Sequence, residues 1–295
     1  MATDEAAAER FILANARLID TLRLACLRHG APPGPVLAAL RAYQNPDGGF
    51  GHALEPDMRA PHSEPVSAFA ALEILAELHA GDEPMVTDEP MVTQVARWTA
   101  GIAGADGGVP FVLPAGRDYP RAPWMEPGPG GSHLTFAIAA RLWELGAGSP
   151  WLRQATDWCW ARLEGPEPLD GFWVKFGLDF LDHVPDQARA QAAIERIGPA
   201  LRADGSLPVP GGLEDERLTP LALSARPGRR SRALFTGDQV EADLDALEDG
   251  QQPDGGWTFD WLGWSPGQSA EWRGIVTLLA LATLGAHGRI ALASA

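Results

Sequence analysis

The stretch Tyr43–Gly51 limits what this chain can fold into, because its core recurs near the other end. The first copy reads Tyr-Gln-Asn-Pro-Asp-Gly-Gly-Phe-Gly, and the second, at residues 252–257, reads Gln-Pro-Asp-Gly-Gly-Trp. Proline cannot continue a helix interior, and Asp-Gly-Gly suits a tight turn with positive φ in which the Asp side chain accepts from an amide two residues on. The aromatic residue that follows can fill the groove between two helices. Each copy therefore predicts a plugged corner between helices.

Three weaker copies lie between these two, at Asp106, Asp170 and Asp204. The five aspartates of the series are 34 to 64 residues apart. Such uneven spacing predicts one helix pair per repeat, with loops of variable length. Asp-Gly is common in turns of unrelated proteins, so only the two full copies are specific.

Apolar residues recur at helical spacing along most of the chain, and little indicates strands. Segments that follow a corner, such as 134–145, are apolar all round, whereas segments that precede one, such as 187–201, are amphipathic. An inner ring of helices covered by an outer ring explains this difference. We therefore predict an all-α fold, an α/α toroid of two concentric rings with about five to six helix pairs, as a single domain over residues 1–295.

Helix boundaries follow from capping residues and breakers. The pattern predicts one long first helix, capped at Thr3-Asp4 and ended by Gly30, and later helices capped by Ser63 and Ser269. An outer helix is predicted from Asp88 to Ile102. The hexapeptide Asp-Glu-Pro-Met-Val-Thr occurs twice in succession within residues 82–93, which we interpret as a duplicated loop.

Composition narrows the possible partners. The chain is 45% hydrophobic and 21% charged, as in ordinary globular proteins. Its net charge of −16 opposes binding to nucleic acid or to an anionic membrane surface. Cys26 and Cys159 are too few for a disulfide framework, and the acidic, Ala-rich start lacks the features of a secretory signal. The longest apolar run, 275–286, is short of the ~20 residues that span a bilayer. We predict a cytoplasmic protein without an integral membrane segment.

The pattern Gln-x-x-Asp-Gly-Gly-Phe/Trp resembles the repeat signature of squalene-hopene cyclases and their relatives. It is carried here by Gln44–Phe50 and by a second copy that begins at Gln251 or Gln252. In that family, and in protein prenyltransferase β subunits, such corners belong to an α/α barrel. The resemblance implies an isoprenoid substrate in an aromatic-lined cavity, where each desolvated aromatic face stabilises a carbocation by about 2 kcal/mol or more.

The chain departs from the catalytic motifs of these families. Asp243 and Asp245 lack the final aspartate of the Asp-x-Asp-Asp motif with which class II cyclases protonate their substrate, and the magnesium-binding Asp-Asp-x-x-Asp of class I synthases is absent. Asp157 and Cys159 have the Asp-x-Cys spacing of the prenyltransferase zinc site, but they lie in a predicted helix away from any corner. We therefore predict no cofactor, with magnesium needed only for a diphosphate substrate and no zinc at Asp157 and Cys159.

The residues that rim the two full corners form the predicted site. In a toroid, corner loops and inner-helix N-termini surround the cavity mouth and favour anions. If the ring closes, the loop after the first corner faces the loop after the last. The predicted catalytic residues are Asp57, Glu55 and Asp260, because burial or a second carboxylate would hold one of them neutral as an acid. The predicted substrate-binding residues are Arg59, His62, Lys175, Trp173, Trp257, Trp261, Trp264, Glu271, Trp272 and Arg273.

Two other functions fit the same sequence. In a carbohydrate-active α/α-barrel enzyme, Glu55, Asp57 and Asp260 would be acid and base, and tryptophans would stack on sugar rings. In a non-catalytic binding or scaffold toroid, the acidic loop would only tie its own corner by hydrogen bonds, since a fold alone does not set a function.

Overall fold

The computed structural model describes residues 3–79 and 90–292. Within them the chain is mostly helical, with twelve α-helices and one antiparallel pair of two-residue strands, β1 (Leu207–Pro208) and β2 (Arg217–Leu218). The predicted all-α class is therefore confirmed. None of the described helices is both long enough and apolar enough to pass through a bilayer.

The described residues fall into two compact units. The terminal unit comprises residues 3–40 and 198–292, and the middle unit comprises residues 41–79 and 90–197. The helices, in chain order, are α1 (Glu5–Asn15), α2 (Leu18–His29), α3 (Gly34–Arg41), α4 (Pro65–His79), α5 (Pro90–Ile102), α6 (Leu134–Glu144), α7 (Pro150–Glu164), α8 (Gly171–His183), α9 (Gln187–Ile197), α10 (Pro220–Leu223), α11 (Gly237–Asp249) and α12 (Pro266–Ala286).

Helix α6 forms the centre of the middle unit, where it packs against α4, α7 and α8. Nearly its whole surface is buried, with Phe136 and Leu142 fully enclosed. By contrast α9 buries only one stripe, which includes Ala190 and Ile194. Helix α6, which follows a corner, is thus more enclosed than α9, which precedes one, as the sequence pattern predicts for these two segments.

Helix α12 is the corresponding centre of the terminal unit and packs against α1, α2 and α11. At Gly274 it passes so close to α1 that an added Cβ would lie 2.7 Å from the Cβ of Ala16. Glycine is therefore required there for the two helices to approach.

The predicted single first helix is wrong, because the chain breaks between α1 and α2. Ala16 and Arg17 adopt extended backbone, with ψ of 166° and 155°. The break lies where Gly274 of α12 approaches, and Arg17 then binds Asp20 in the first turn of α2 at 2.7 Å. The predicted cap at Asp4 is confirmed, since its carboxylate accepts from the amide of Ala7 at 2.9 Å.

Two other predicted caps are also wrong. Helix α4 begins at Pro65, and the hydroxyl of Ser63 donates instead to Asp47 at 2.7 Å. Helix α12 begins at Pro266, where Ser265 rather than Ser269 accepts from the amide of Gln268. The predicted helix start at Asp88 and most of the duplicated hexapeptide lie outside the described residues.

Candidate functional site

Four corners share one backbone geometry, those at Asp47, Asp106, Asp204 and Asp254. In each, the residue after the aspartate is a glycine with φ between 82° and 93°. In each, the aspartate Oδ1 accepts from the amide two residues on at 2.9 to 3.2 Å. The turn predicted from Asp-Gly is therefore confirmed in both full copies and in two of the weaker ones.

The corner predicted at Asp170 is wrong. Asp170 precedes α8 without a capping hydrogen bond from its side chain, and Gly171 is already the first residue of that helix, with φ of 46°. The sequence there is Asp-Gly-Phe-Trp, so it lacks the second small residue that lets the other corners turn tightly.

The second carboxylate oxygen fixes a corner to a helix of the following repeat. Asp47 Oδ2 accepts from the indole of Trp98 on α5, and Asp106 Oδ2 accepts from the indole of Trp158 on α7, both at 3.1 Å. At the Asp254 corner the partner is an arginine of the helix directly after the corner: Arg273 of α12 binds both oxygens of Asp254 at 2.8 Å. These contacts hold the repeats together.

The structure also settles which glutamine belongs to the second copy. Gln44 Nε2 donates to the carbonyl of Gly48 at 3.2 Å, and Gln251 Nε2 donates to the carbonyl of Gly255 at 2.9 Å. Gln251, rather than Gln252, is therefore the counterpart of Gln44.

The predicted catalytic residues Glu55 and Asp57 belong to a tightly bonded loop. Glu55 accepts from the amide of Asp57 at 2.7 Å, and the carbonyl of Asp57 accepts from the amide of Ala122 at 2.8 Å. The backbone of Arg59 is tied in the same way to the carbonyl of Pro120 at 3.0 Å. These bonds favour a structural role for the loop, with Asp57 only 3% exposed.

Glu64, which the sequence reasoning missed, is a buried carboxyl of this region whose pKa is strongly raised. Its side chain is fully buried, and burial raises its pKa to about 7 although the Leu113 amide and His62 oppose the shift. Its Oε2 accepts from that amide at 2.9 Å, and its Oε1 lies 3.3 Å from His62 Nδ1. The edge of Tyr119 packs on the imidazole of His62, with ring centroids 5.1 Å apart. A carboxyl that is half-protonated near neutral pH suits proton transfer.

His133, at the start of α6, is the centre of an aromatic group in the middle unit. Its ring lies 4.8 Å from Phe111 and stacks on Phe176 at 5.4 Å with an interplanar angle of 7°. Burial and the nearby charge of Lys175 lower its pKa to about 4, so the imidazole is neutral at pH 7. We call the following residues the His133 cluster: Phe69, Phe111, His133, Phe172, Trp173 and Phe176.

Two predicted substrate-binding residues belong to this cluster or border it. Trp173 lies 5.8 Å from the His133 ring, and Arg162 covers its indole at 4.7 Å. The ammonium of Lys175 lies 5.7 Å from the rings of both Phe172 and Phe176. The rings of the cluster are half-buried rather than enclosed, so a ligand can reach them.

Glu64 and the His133 cluster are joined by one short segment. Phe111 contacts His133, and two residues later the amide of Leu113 binds Glu64. On α4, Phe69 follows Glu64 by five residues and packs edge-on against Phe176 at 5.2 Å. The same segments thus position an acid and an apolar aromatic surface.

In the terminal unit, Trp257 and Arg273 are structural in this geometry. Trp257 is 3% exposed, and its indole donates to the carbonyl of Leu247 at 2.7 Å. Arg273 is engaged by Asp254 and covers the ring of Phe11 at 4.5 Å. Both side chains therefore stabilise the terminal unit, and their predicted role in substrate binding stays a prediction.

The remaining predicted residues of the terminal unit lie in the loop after the last corner and in the first two turns of α12. Trp261 and Trp272 pack edge to face at 5.0 Å, and Trp261 also stacks on Phe259 at 4.7 Å. Asp260 is exposed, while Trp264 and Glu271 are half-buried. The two predicted sets, around Asp57 and around Asp260, belong to different units, so their convergence stays a prediction.

Cys159 is fully buried, and burial raises the pKa of its thiol well above its ordinary value. A thiolate is the form that binds zinc, so this environment disfavours a metal ligand. Within residues 3–79 and 90–292, no group of three or more His, Cys, Asp or Glu side chains is placed to hold a metal ion.

The structure contains a pairing rule that the sequence analysis overlooked. Gln94 and Trp98 on α5 are four residues apart and pack on one corner, and Gln154 and Trp158 on α7 do the same on the next. The pattern Gln-x-x-x-Trp is visible in the sequence. Glu64 carries no such pattern, because its importance comes from burial.

No family model matches the chain, and no curated protein is similar to it in sequence. Among solved structures, a protein from Actinoplanes is similar, with a TM-score of 0.58 and 21% identity over 95% of this chain and 99% of that one. At this identity the similarity shows a common fold and carries no information on function.

Proposed function

We propose that this chain is an isoprenoid-handling, terpenoid cyclase-like protein that binds an apolar substrate on the His133 cluster. The observation that carries the proposal is the cluster itself. Aromatic side chains from α4, α8 and the loop before α6 surround an uncharged imidazole and remain partly accessible. Aromatic faces stabilise a carbocation without trapping it, whereas a water-filled or carboxylate-lined site would quench it.

We also propose that the helix pairs form a closed toroid. The Asp47 corner packs on α5, and the Asp106 corner packs on α7. In each case the corner contacts the second helix that follows it in the chain. After the Asp254 corner, α12 is the last helix among the described residues. This corner packs on α1 instead, where an added Cβ at Gly255 would lie 2.4 Å from the carbonyl oxygen of Ala7. A last corner that packs on the first helix is what closure of a ring of helix pairs requires.

Glu64 is the proton donor in this proposal, in place of Asp57. A donor must carry its proton before the reaction, and burial keeps much of the Glu64 carboxyl neutral at pH 7. The raised pKa also makes the acid weaker, by about 1.4 kcal/mol per unit. Contacts of about 2 kcal/mol between a cation and each aromatic face offset that loss in the transition state. After the cation has lost a proton to solvent, His62, whose Nδ1 lies 3.3 Å from Glu64 Oε1 and whose side chain is 32% exposed, passes a proton from solvent back to the carboxylate.

The test is product analysis after incubation with linear prenyl diphosphates and with free polyprenes, with and without magnesium. The wild type should give cyclised or transferred products, and Glu64→Gln should abolish them while still binding substrate. Glu167→Gln is the matched control, since that side chain is 76% exposed. Products that survive Glu64→Gln would exclude the proposed donor. No turnover and no binding across the panel would support the scaffold alternative.

A further inference from the structure

The indoles of Trp261 and Trp272 in the terminal unit differ from other indoles of this chain. Both Nε1 atoms are shielded from solvent and have no acceptor among the described residues. Elsewhere the indole of Trp143 donates to Thr156 and that of Trp151 donates to the carbonyl of Gly107, both at 3.1 Å. Indoles of Trp98, Trp158 and Trp257 are paired likewise.

An unpaired buried donor is unfavourable by about 1–3 kcal/mol, and most buried polar groups are satisfied. Here two such donors occur in rings whose centroids are 5.0 Å apart. Because the rings meet at 85°, only the ring that presents its edge can direct an N–H at the face of the other. At least one donor therefore still lacks an acceptor.

An apolar side chain packs beside the two indoles, since Phe259 stacks on Trp261 at 4.7 Å. Leu262, next to Trp261 in the chain, is 44% exposed. Trp261 and Trp272 are themselves half-buried, so part of each side chain is accessible, and an oxygen reaches the shielded N–H groups when a neighbouring side chain moves aside. Such a site fits an apolar molecule that carries a hydrogen-bond acceptor.

We propose that Trp261 and Trp272 form a ligand subsite for an apolar molecule with an oxygen acceptor, such as an ether, carbonyl or hydroxyl oxygen. The oxygen accepts from the indole N–H groups while the hydrocarbon portion lies against Phe259 and the two indole rings. The subsite depends on the proposed function only for the choice of an isoprenoid probe. Indoles donate and cannot accept, so the ligand needs no proton of its own.

The test compares ligands that differ by one atom. Dibutyl ether and nonane have the same number of heavy atoms, and geranylgeranyl methyl ether can be compared with the hydrocarbon in which CH₂ replaces its oxygen. Binding is followed by calorimetry and by the indole N–H resonances of ¹⁵N-labelled protein. Each ether should bind about 5- to 10-fold more tightly than its hydrocarbon and should move the Trp261 and Trp272 resonances downfield.

Variants assign the effect to the two donors. Trp261→Phe and Trp272→Phe keep an aromatic ring but remove the N–H, so each should reduce the preference for ether without weakening hydrocarbon binding. Trp124→Phe, at an indole that is 39% exposed in the middle unit, is the control and should change nothing. If a variant fails to fold, the comparison of ether with hydrocarbon binding to the wild type still tests the subsite.

The outcomes separate this subsite from the proposed function. Equal binding of ether and hydrocarbon, with unmoved indole resonances, overturns the subsite and shows that the two donors bind an ordered water only. A response to dibutyl ether with no binding of either geranylgeranyl compound supports the subsite and contradicts the isoprenoid function. Binding of the alcohol geranylgeraniol but not of its methyl ether overturns the subsite, because the ligand would then be the donor.

Discussion

The indole of Trp98 donates to Asp47 across 51 residues of sequence at 3.1 Å, and this bond fixes a corner to a helix of the following repeat. One turn before the tryptophan, Gln94 lies directly over Gly48 of the same corner. Trp158, Gln154 and Gly107 reproduce the arrangement on α7. Side chains of the second helix after each of these two corners therefore bind the corner and connect neighbouring repeats.

Removing this bond should destabilise the middle unit. Trp98→Phe leaves one oxygen of Asp47 without its donor, so we expect a loss of about 1–2 kcal/mol in the free energy of unfolding. Asp47→Asn combined with Trp98→Phe should lose less than the sum of the two single changes, as measured by urea denaturation. Trp124→Phe is the control. Strict additivity would show that the bond contributes nothing.

Close approach of the last corner to α1 should make Gly255 intolerant of any side chain. Gly255 has φ of 93°, and its Cβ would meet the carbonyl oxygen of Ala7 at 2.4 Å. At Gly130 φ is 84° and an added Cβ would have no neighbouring atom within 4 Å. An alanine at this position therefore measures the cost of the backbone conformation alone. We expect Gly130→Ala to lower unfolding free energy by about 1 kcal/mol and Gly255→Ala by several kcal/mol. Similar thermal melts for the two variants would show that the corner does not pack on α1.

Glu64 should make the protein less stable as pH rises. Its folded pKa of about 7 lies above the ordinary value of 4.5, so the folded state holds the proton more tightly. Its contribution is complete below pH 4.5 and is lost as pH rises towards 7, by at most about 3 kcal/mol. Glu64→Gln keeps an acceptor for the Leu113 amide and should remove this contribution, which is obtained as the difference between the variant and wild-type unfolding free energies across that range. If the variant and the wild type show the same pH dependence of unfolding free energy, the Glu64 carboxyl lies in a more polar environment than this structure gives it.

His133 should have the opposite effect over nearly the same range. Its folded pKa of about 4 lies below the ordinary 6.5, so the unfolded state binds the proton more tightly. The contribution of neutral His133 to the free energy of unfolding is complete above pH 6.5. It falls as pH drops towards 4, again by at most about 3 kcal/mol. His133→Phe should remove this loss. In the wild type the two slopes oppose each other between pH 4.5 and 6.5, so either single variant should show a steeper pH dependence than the parent.

The two thiols should differ in reactivity. Cys159 is fully buried with a raised pKa, whereas Cys26 is half-buried near the end of α2. A thiol reagent should therefore modify Cys26 in the native protein and Cys159 only after denaturation. Mass mapping of the labelled peptides checks this. Native labelling of Cys159 would contradict the packing of α7.

The sequence predicts well the features that are local. Asp-Gly and a following aromatic residue fix the corners, because the turn depends on backbone conformations that few residues adopt, and Gly48 and Gly255 have matching positive φ. Helix periodicity also distinguishes a nearly fully buried helix, α6, from one that buries a single stripe, α9. The break at Ala16 was not predictable, since it lies where Gly274, distant in sequence, approaches.

The candidate site was less predictable because it depends on burial. Glu55, Asp57 and Glu64 look alike in the sequence, and only the folded structure shows that burial holds the pKa of the Glu64 carboxyl near 7. Likewise, the sequence around His133 does not indicate that Phe111 and Phe176 pack on its ring. Burial of a carboxyl or an imidazole depends on tertiary packing, so the position of a charged residue near a motif does not indicate it.

Photo-crosslinking with a diazirine-bearing geranylgeranyl analogue, mapped by mass spectrometry, tests most directly whether an isoprenoid binds on the His133 cluster. We predict labelling of peptides that contain Phe111, His133 and residues 172–176, which excess unlabelled geranylgeraniol should suppress. Labelling scattered over other surfaces, or label in those peptides that competitor does not reduce, would contradict the account.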